Sequence, residues 1–156
     1  MKQRIIDLVE QYHLQPHPEG GYYCEVYKNK ELIQGLPLAT SIYFLLGKDD
    51  ISWYHRLQSD EIWYFHEGGT LLISMITPNG EYTEALLGTR EGATHQVVVP
   101  RNTIFGSKIV DGDYALVGCM VSHGFSFDEF ELFSYEELLQ RYPQHEAKLM
   151  TPKGTL

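Results

Sequence analysis

The stretch of this chain best equipped for chemistry is Ser52 to Gly69, SWYHRLQSDEIWYFHEGG. It sets a histidine, His55, and a carboxylate six residues later, Glu61, among aromatic side chains, with a polar turn, Gln58-Ser59-Asp60, between them. Two strands joined by that turn would form a hairpin, whose opposite positions approach each other and so bring imidazole and carboxyl together. Such a pair can ligate a metal, move a proton or orient a bound molecule. It can also simply satisfy two buried polar groups in a core.

Side-chain parity decides what surrounds the pair. Trp53 and Leu57 share the face of His55, Trp63 and Phe65 share that of Glu61, and a later strand brings Phe105 with Thr103 and Ser107. The catalytic candidates are therefore His55 and Glu61, and the ligand-binding candidates are Trp53, Leu57, Trp63, Phe65, Thr103 and Phe105. Together they describe an apolar cavity with few polar groups, the usual character of a small-molecule site. Glu25 shares a strand face with Tyr23 and Tyr27; it is a further candidate if that face turns inward and an edge-strand surface carboxylate if not. His17, in a connector between Pro16 and Pro18, reads as exposed, and His13, His123 and His145 take ordinary structural roles.

The elements that must position these groups are mostly short strands. Met1 to His13 shows Ile5, Leu8, Val9 and Tyr12 at helical spacing, and Pro16 and Pro18 follow it. Strands are expected over Tyr22 to Lys28, Leu38 to Leu46, Ile51 to Leu57, Glu61 to His66, Thr70 to Ile76, Glu81 to Leu87, His95 to Val99, Thr103 to Val110 and Tyr114 to Ser122. Glycine-rich and polar turns, among them Asp111-Gly112-Asp113, separate them. Phe125 to Phe133 is expected to add a last strand. Ser134 with Glu137 then forms a capping-box pattern for a helix that Pro143 ends. So many short, regular strands predict a sandwich or barrel in a single domain, residues 1 to 156.

Composition narrows the partners. A formal net charge of −9 with no Lys/Arg cluster disfavours nucleic acid. No apolar run approaches the roughly 20 residues a membrane helix needs, and Met1 to Leu14 lacks a signal-peptide core, so no membrane partner and a cytoplasmic location are expected. Cys24 and Cys119 lack Cys-x-x-Cys spacing and read as two reduced core thiols.

The motif around His55 resembles the first conserved motif of the cupin superfamily: His55 takes the first histidine, Glu61 the carboxylate and Gly68 the closing glycine, while Leu57 replaces the second histidine and Asp49 the opening glycine. The second cupin motif keeps Pro100, with Asn102 where glycine is usual and Phe105 where the third histidine belongs. The match is closer to single-domain cupins of unknown function that carry a PHPEGGY opening, here Pro16 to Tyr23 (PHPEGGYY), and an SDE-aliphatic-Trp turn, here Ser59 to Trp63. Segments Ala39 to Leu46, Val97 to Pro100 and Ala115 to Cys119 extend the resemblance from about Leu14 to Leu139. It implies an all-β jelly-roll cupin barrel, the double-stranded β-helix, with an N-terminal helix, short C-terminal helical segments and a homodimer.

Three functional readings follow. The first is a metal-dependent cupin enzyme with a reduced ligand set: the superfamily commonly holds a metal on three histidines and a glutamate, of which His55 and Glu61 remain, but leucine and phenylalanine cannot donate, so no metal or other cofactor is expected. Metal-free acid/base chemistry by His55 and Glu61 is the second, by analogy with the cupin sugar-nucleotide epimerases, which points to an isomerase or epimerase acting beside a carbonyl or on a sugar. Binding of a small organic ligand without turnover is the third. Whether the chain is an enzyme stays open at this point.

Overall fold

A computed structural model describes residues 2–152. Helix α1 (Lys2–Gln11) precedes β1 (Gln15–Pro16), β2 (Tyr22–Lys28), a two-residue pair β3 (Leu32–Ile33) and β4 (Leu36–Pro37), β5 (Thr40–Gly47) and β6 (Ile51–Arg56). Then come β7 (Asp60–Ile76), β8 (Tyr82–Leu87), β9 (Gln96–Val99), β10 (Ile104–Ser122), β11 (Glu131–Leu132) and helix α2 (Tyr135–Arg141). Met1, at the start of the expected N-terminal helix, lies outside the described residues.

Two long strands organise everything else. β7 and β10 run antiparallel along one another from Ile104 opposite Ile76 to Ser122 opposite Asp60. On the other edge of β10, β6 pairs with its first half and β5 with its second. β2 and then β1 extend from β5, while β8 and β9 occupy the far edge of β7. The result is a curled antiparallel jelly-roll sheet. Its interior is packed with Phe44, Leu46, Trp63, Leu71, Ile73, Leu87, Val99, Phe105 and Val117.

Outside the curl, α1 lays Leu8 on Leu45 and Leu116. Arg4 on this helix grips Glu67 with two hydrogen bonds of 2.9 and 2.7 Å. α2 caps the opposite side over Tyr54, Ile76 and Ile104, and its Ser134–Glu137 capping box is formed in both directions. Both cysteines are free, Cys119 buried and Cys24 half-buried. Among the described residues no helix is long and apolar enough to cross a membrane.

Three expectations need correction. The segments Glu61 to His66 and Thr70 to Ile76 are one continuous strand, and so are Thr103 to Val110 and Tyr114 to Ser122, apart from Thr103 itself. Asp111-Gly112-Asp113 is not a turn; with Gly68-Gly69 it forms the bend where the two long strands change register against each other. Second, β6 and β7 are not hydrogen-bonded partners: β6 pairs with β10 and β11, and β7 with β8, β9 and β10. His55 and Glu61 therefore come from separate, unpaired strands. Third, Phe125 to Phe133 is mostly not strand. Ser126 caps a 3-10 turn over Phe127–Glu129, and only Glu131–Leu132 pairs, against Arg56 and His55.

At the bend a Cβ on Gly69 would overlap the Asp111 carbonyl, so the crossing requires glycine. Gly69→Ala should lower stability by roughly 3 kcal/mol in urea unfolding. Gly92→Ala, at a positive φ of +80° but in open space, should cost only about 1 kcal/mol. Equal losses would mean that the two strands separate at the bend without penalty.

Candidate functional site

A bulge in β6 creates the site. Phe105 lies opposite His55 and Ser107 opposite Ser52, so β6 carries one residue more than the β10 segment it pairs with. The extra residue reverses side-chain parity. Ser52 faces the cup, whereas Trp53 turns away and donates its indole N–H to the Phe133 carbonyl at 2.6 Å, packing with the α2 cluster. The Trp53 backbone N–H, free of the ladder, donates instead to the Glu19 carbonyl at 2.8 Å.

Glu19 rides on the tight turn between β1 and β2. His17 N–H donates to the Gly21 carbonyl and Gly20 N–H to the His17 carbonyl. Gly20 adopts φ +111°, and a Cβ there would overlap the Ile51 carbonyl. So close a seating carries the Glu19 carboxylate into the cup. One oxygen accepts from the Ser52 hydroxyl at 2.7 Å, and the other lies 3.0 Å from His55 Nε2.

The other ring nitrogen of His55, Nδ1, donates to the Trp53 carbonyl at 2.7 Å. Both nitrogens thus face acceptors, so the ring carries two protons and Glu19 the negative charge. Burial alone would lower the His55 pKa, but the charge and hydrogen bond of Glu19 outweigh it and, with smaller help from Glu61 and the Trp53 carbonyl, hold it above the ordinary value. Burial alone would raise Glu19; His55, then His17 and Ser52, hold it below. The ring is fixed between Phe105 and Phe130, at centroid distances of 4.2 and 5.2 Å.

His17 is not the exposed connector residue expected: its side chain is buried and lines the cup. Its Nδ1 accepts the Glu19 backbone N–H at 3.2 Å, so its 3.9 Å approach to the Glu19 carboxylate is no ion pair. Burial lowers its proton affinity, His55 adds to that effect and Glu19 opposes it.

Glu61 enters from β7 and is also buried. Burial pushes its carboxyl up to about 7; His55 opposes the rise, Glu19 adds to it, and the Cys119 thiol and Trp63 indole favour the charged form. The Trp63 N–H influences Glu61 from nearby without a well-formed hydrogen bond to any protein acceptor. Burial, followed by the charges of Glu61 and Glu19, raises the Cys119 thiol well above its usual value, which leaves it a poor nucleophile.

These groups line a cavity of about 260 Å³ with Gln15, Tyr23, Glu25, Thr40, Ile42, Phe44, Leu57, Trp63, Val121, Phe125 and Phe127. Of the residues expected from sequence, His55, Glu61, Leu57, Trp63 and Glu25 lie on it, with Glu25 at the exposed rim. Trp53 does not, because of the bulge. Phe65 packs against the core toward His95, just ahead of a second register shift in β7. Thr103 is buried in the turn before β10, and Phe105 supports His55 from outside the cavity wall. Glu19, His17 and Ser52 went unrecognised. The available signal was a carboxylate held between a Pro-His-Pro run and a glycine pair.

A metal does not fit these residues. The His55 Nε2 that a metal would need as a lone-pair donor is instead protonated and donates to Glu19, and Leu57 and Phe105 have nothing to donate. Among the described residues, no group of three or more His, Cys, Asp or Glu is arranged to hold a metal ion.

The sequence profile of the cupin superfamily DUF985 family matches residues 6–133. A crystal structure of a Shewanella oneidensis protein is 47% identical with a TM-score of 0.88, over 94% of this chain and 97% of that one. A hypothetical protein from Leishmania major is 38% identical with a TM-score of 0.86, over 91% and 94% of the two chains. Oxalate decarboxylase from Bacillus subtilis shares the fold at a TM-score of 0.61 and 16% identity, over 90% of this chain and 37% of that one. Among curated proteins none matches the chain.

Two outcomes test this electrostatic arrangement. In NMR titration the His55 ring should stay doubly protonated through neutral pH and become neutral at pH 7 in Glu19→Gln; an unchanged titration would break the assigned pairing. Glu61 binds its proton more tightly folded than unfolded, so its contribution to stability is fully present below its ordinary pKa of 4.5 and is lost as pH rises through about 7. Glu61→Gln should therefore gain about 3 kcal/mol relative to the parent between pH 4.5 and 8, read from urea unfolding at both pH values.

Proposed function

Since the chain belongs to the DUF985 family of the cupin superfamily, and its barrel opens onto buried ionisable groups, we propose that it binds a small organic molecule in this cup and moves a proton on it without a metal. The observation that carries the proposal is the company kept by three side chains. Glu19, His55 and Glu61 are all buried, all line one cavity, and are respectively anionic, cationic and near half-protonated at neutral pH. Well-packed apolar residues would stabilise a fold as well as a buried ion pair does, so stability alone gives no reason to keep these charges.

Glu61 is suited to remove a proton from carbon, because a group titrating at about 7 is both available as a base and able to return the proton as an acid. The paired imidazolium, whose N–H groups stay with Glu19 and the Trp53 carbonyl, offsets through space part of the negative charge developing on a neighbouring oxygen. An isomerase or epimerase step beside a carbonyl uses these two abilities together. Phe44, Trp63 and Tyr23 offer apolar walls for the carbon skeleton.

Native mass spectrometry of protein purified without chelators or affinity metals should reveal a retained small molecule and no stoichiometric transition metal. Incubating that molecule with the protein in deuterated water should exchange a carbon-bound proton, and Glu61→Gln should slow the exchange by roughly a hundredfold or more. Retention without exchange would reduce the role to binding. One equivalent of metal per chain would overturn the metal-free reading.

A further inference from the structure

The charges around the cup are unequal, and the imbalance selects among ligands. Three carboxylates line it, Glu19, Glu25 and Glu61, against one imidazolium, His55, and among the described residues no lysine or arginine lies on it. His55 is committed to Glu19. Two carboxylates therefore have no cation in contact: Glu25 at the exposed rim and Glu61 inside, 7% exposed, which among the described residues has no cation within ion-pair distance and feels His55 only from further off. At the mouth stand the rings of Tyr23, Phe125 and Phe127, the last 48% exposed, and Phe125 meets Phe127 edge-on at 4.7 Å. Ring faces attract cations, and carboxylates in a partly desolvated site attract them more strongly.

We infer that the cup takes a small organic cation, an amine or quaternary ammonium, its charge set between Glu61 and the aromatic mouth. The inference rests on the cup being the binding site proposed above, and it names the class of ligand. An anion would meet two carboxylates without a contacting cation and, among the described residues, no lysine or arginine to receive it. A neutral molecule would bring no positive charge to offset either carboxylate.

Binding of a cation favours the carboxylate form of Glu61 and so displaces its proton. The groups facing that carboxyl are His55 from β6, Glu19 from the turn, Cys119 from β10 and Trp63 from its own strand, with His17 coupled through Glu19. Glu61 itself titrates at about 7. Between pH 6 and 8 its ionised fraction rises about tenfold, and the affinity for a cation should rise by a similar factor.

Three probes of matched shape test the inference on the intact protein: choline, its uncharged isostere 3,3-dimethylbutan-1-ol, and the carboxylate 3,3-dimethylbutanoate. Titration followed by the Trp63 indole and other cup resonances should give choline at least tenfold tighter than the alcohol at pH 8, with the carboxylate weakest. Choline affinity should rise about tenfold from pH 6 to 8 in the parent and stay flat in Glu61→Gln, whose folding is checked by its thermal melt. If the alcohol or the carboxylate matches choline, the charge preference is overturned while the cup stands as a binding site. If choline perturbs no cup resonance, the inference also falls, and retained-ligand mass spectrometry then judges the proposed function separately.

Discussion

The contact between Glu19 and His55 is the constraint on which the rest of this site depends. An ion pair out of water needs close geometry and a partner for nearly every remaining lone pair and proton, or its desolvation outweighs its attraction. Here those partners are supplied by the Ser52 hydroxyl and the Trp53 carbonyl. Each is available only because β6 is bulged between Ser52 and His55. The turn that delivers Glu19 is held to the same bulge through the Trp53 N–H. One irregularity of backbone pairing thereby fixes a carboxylate, an imidazolium and the loop between them.

This arrangement gives the cup its own electrostatic character. In a barrel whose relatives include oxalate decarboxylase at the level of fold, the inner positive charge here belongs to a protonated ring held between Phe105 and Phe130. Glu61 senses that ring and Glu19 at once, and burial brings its proton affinity close to neutral pH. Two glutamates in one cavity thus hold their protons differently, because one has a committed partner and the other has not.

Much of the fold was legible in the sequence. The strand segments, the capping box at Ser134 and the helical spacing of Ile5, Leu8 and Val9 each reflect local chemistry that tertiary contacts did not override. The separated cupin-like motifs supplied the topology that local patterns cannot. The site was less legible, because parity arguments assume an uninterrupted ladder. They placed Leu57, His55, Glu61 and Trp63 on the cavity, and they misplaced Trp53, which lies in the bulge, and Phe65, which borders a register shift. Asp111-Gly112-Asp113 looks like a turn in sequence because glycine serves equally a reversal and a close crossing of backbones. Glu19 was hidden for a further reason: the hydrogen-bond partners of its carboxylate, Ser52 and His55, are more than thirty positions away, and no spacing rule links a loop carboxylate to a strand it folds across.

Strand β10 takes part in every layer of the molecule. Ile104 lies under α2, Phe105 under His55, Leu116 under α1 and Cys119 beside Glu61. A wedge driven into the helical flank would therefore be felt at the floor of the cup through a single run of peptide bonds. Substitutions far from the cavity, at the seat of either helix, are in this architecture a means of tuning the tilt of the imidazole and the depth of the bowl without touching its lining.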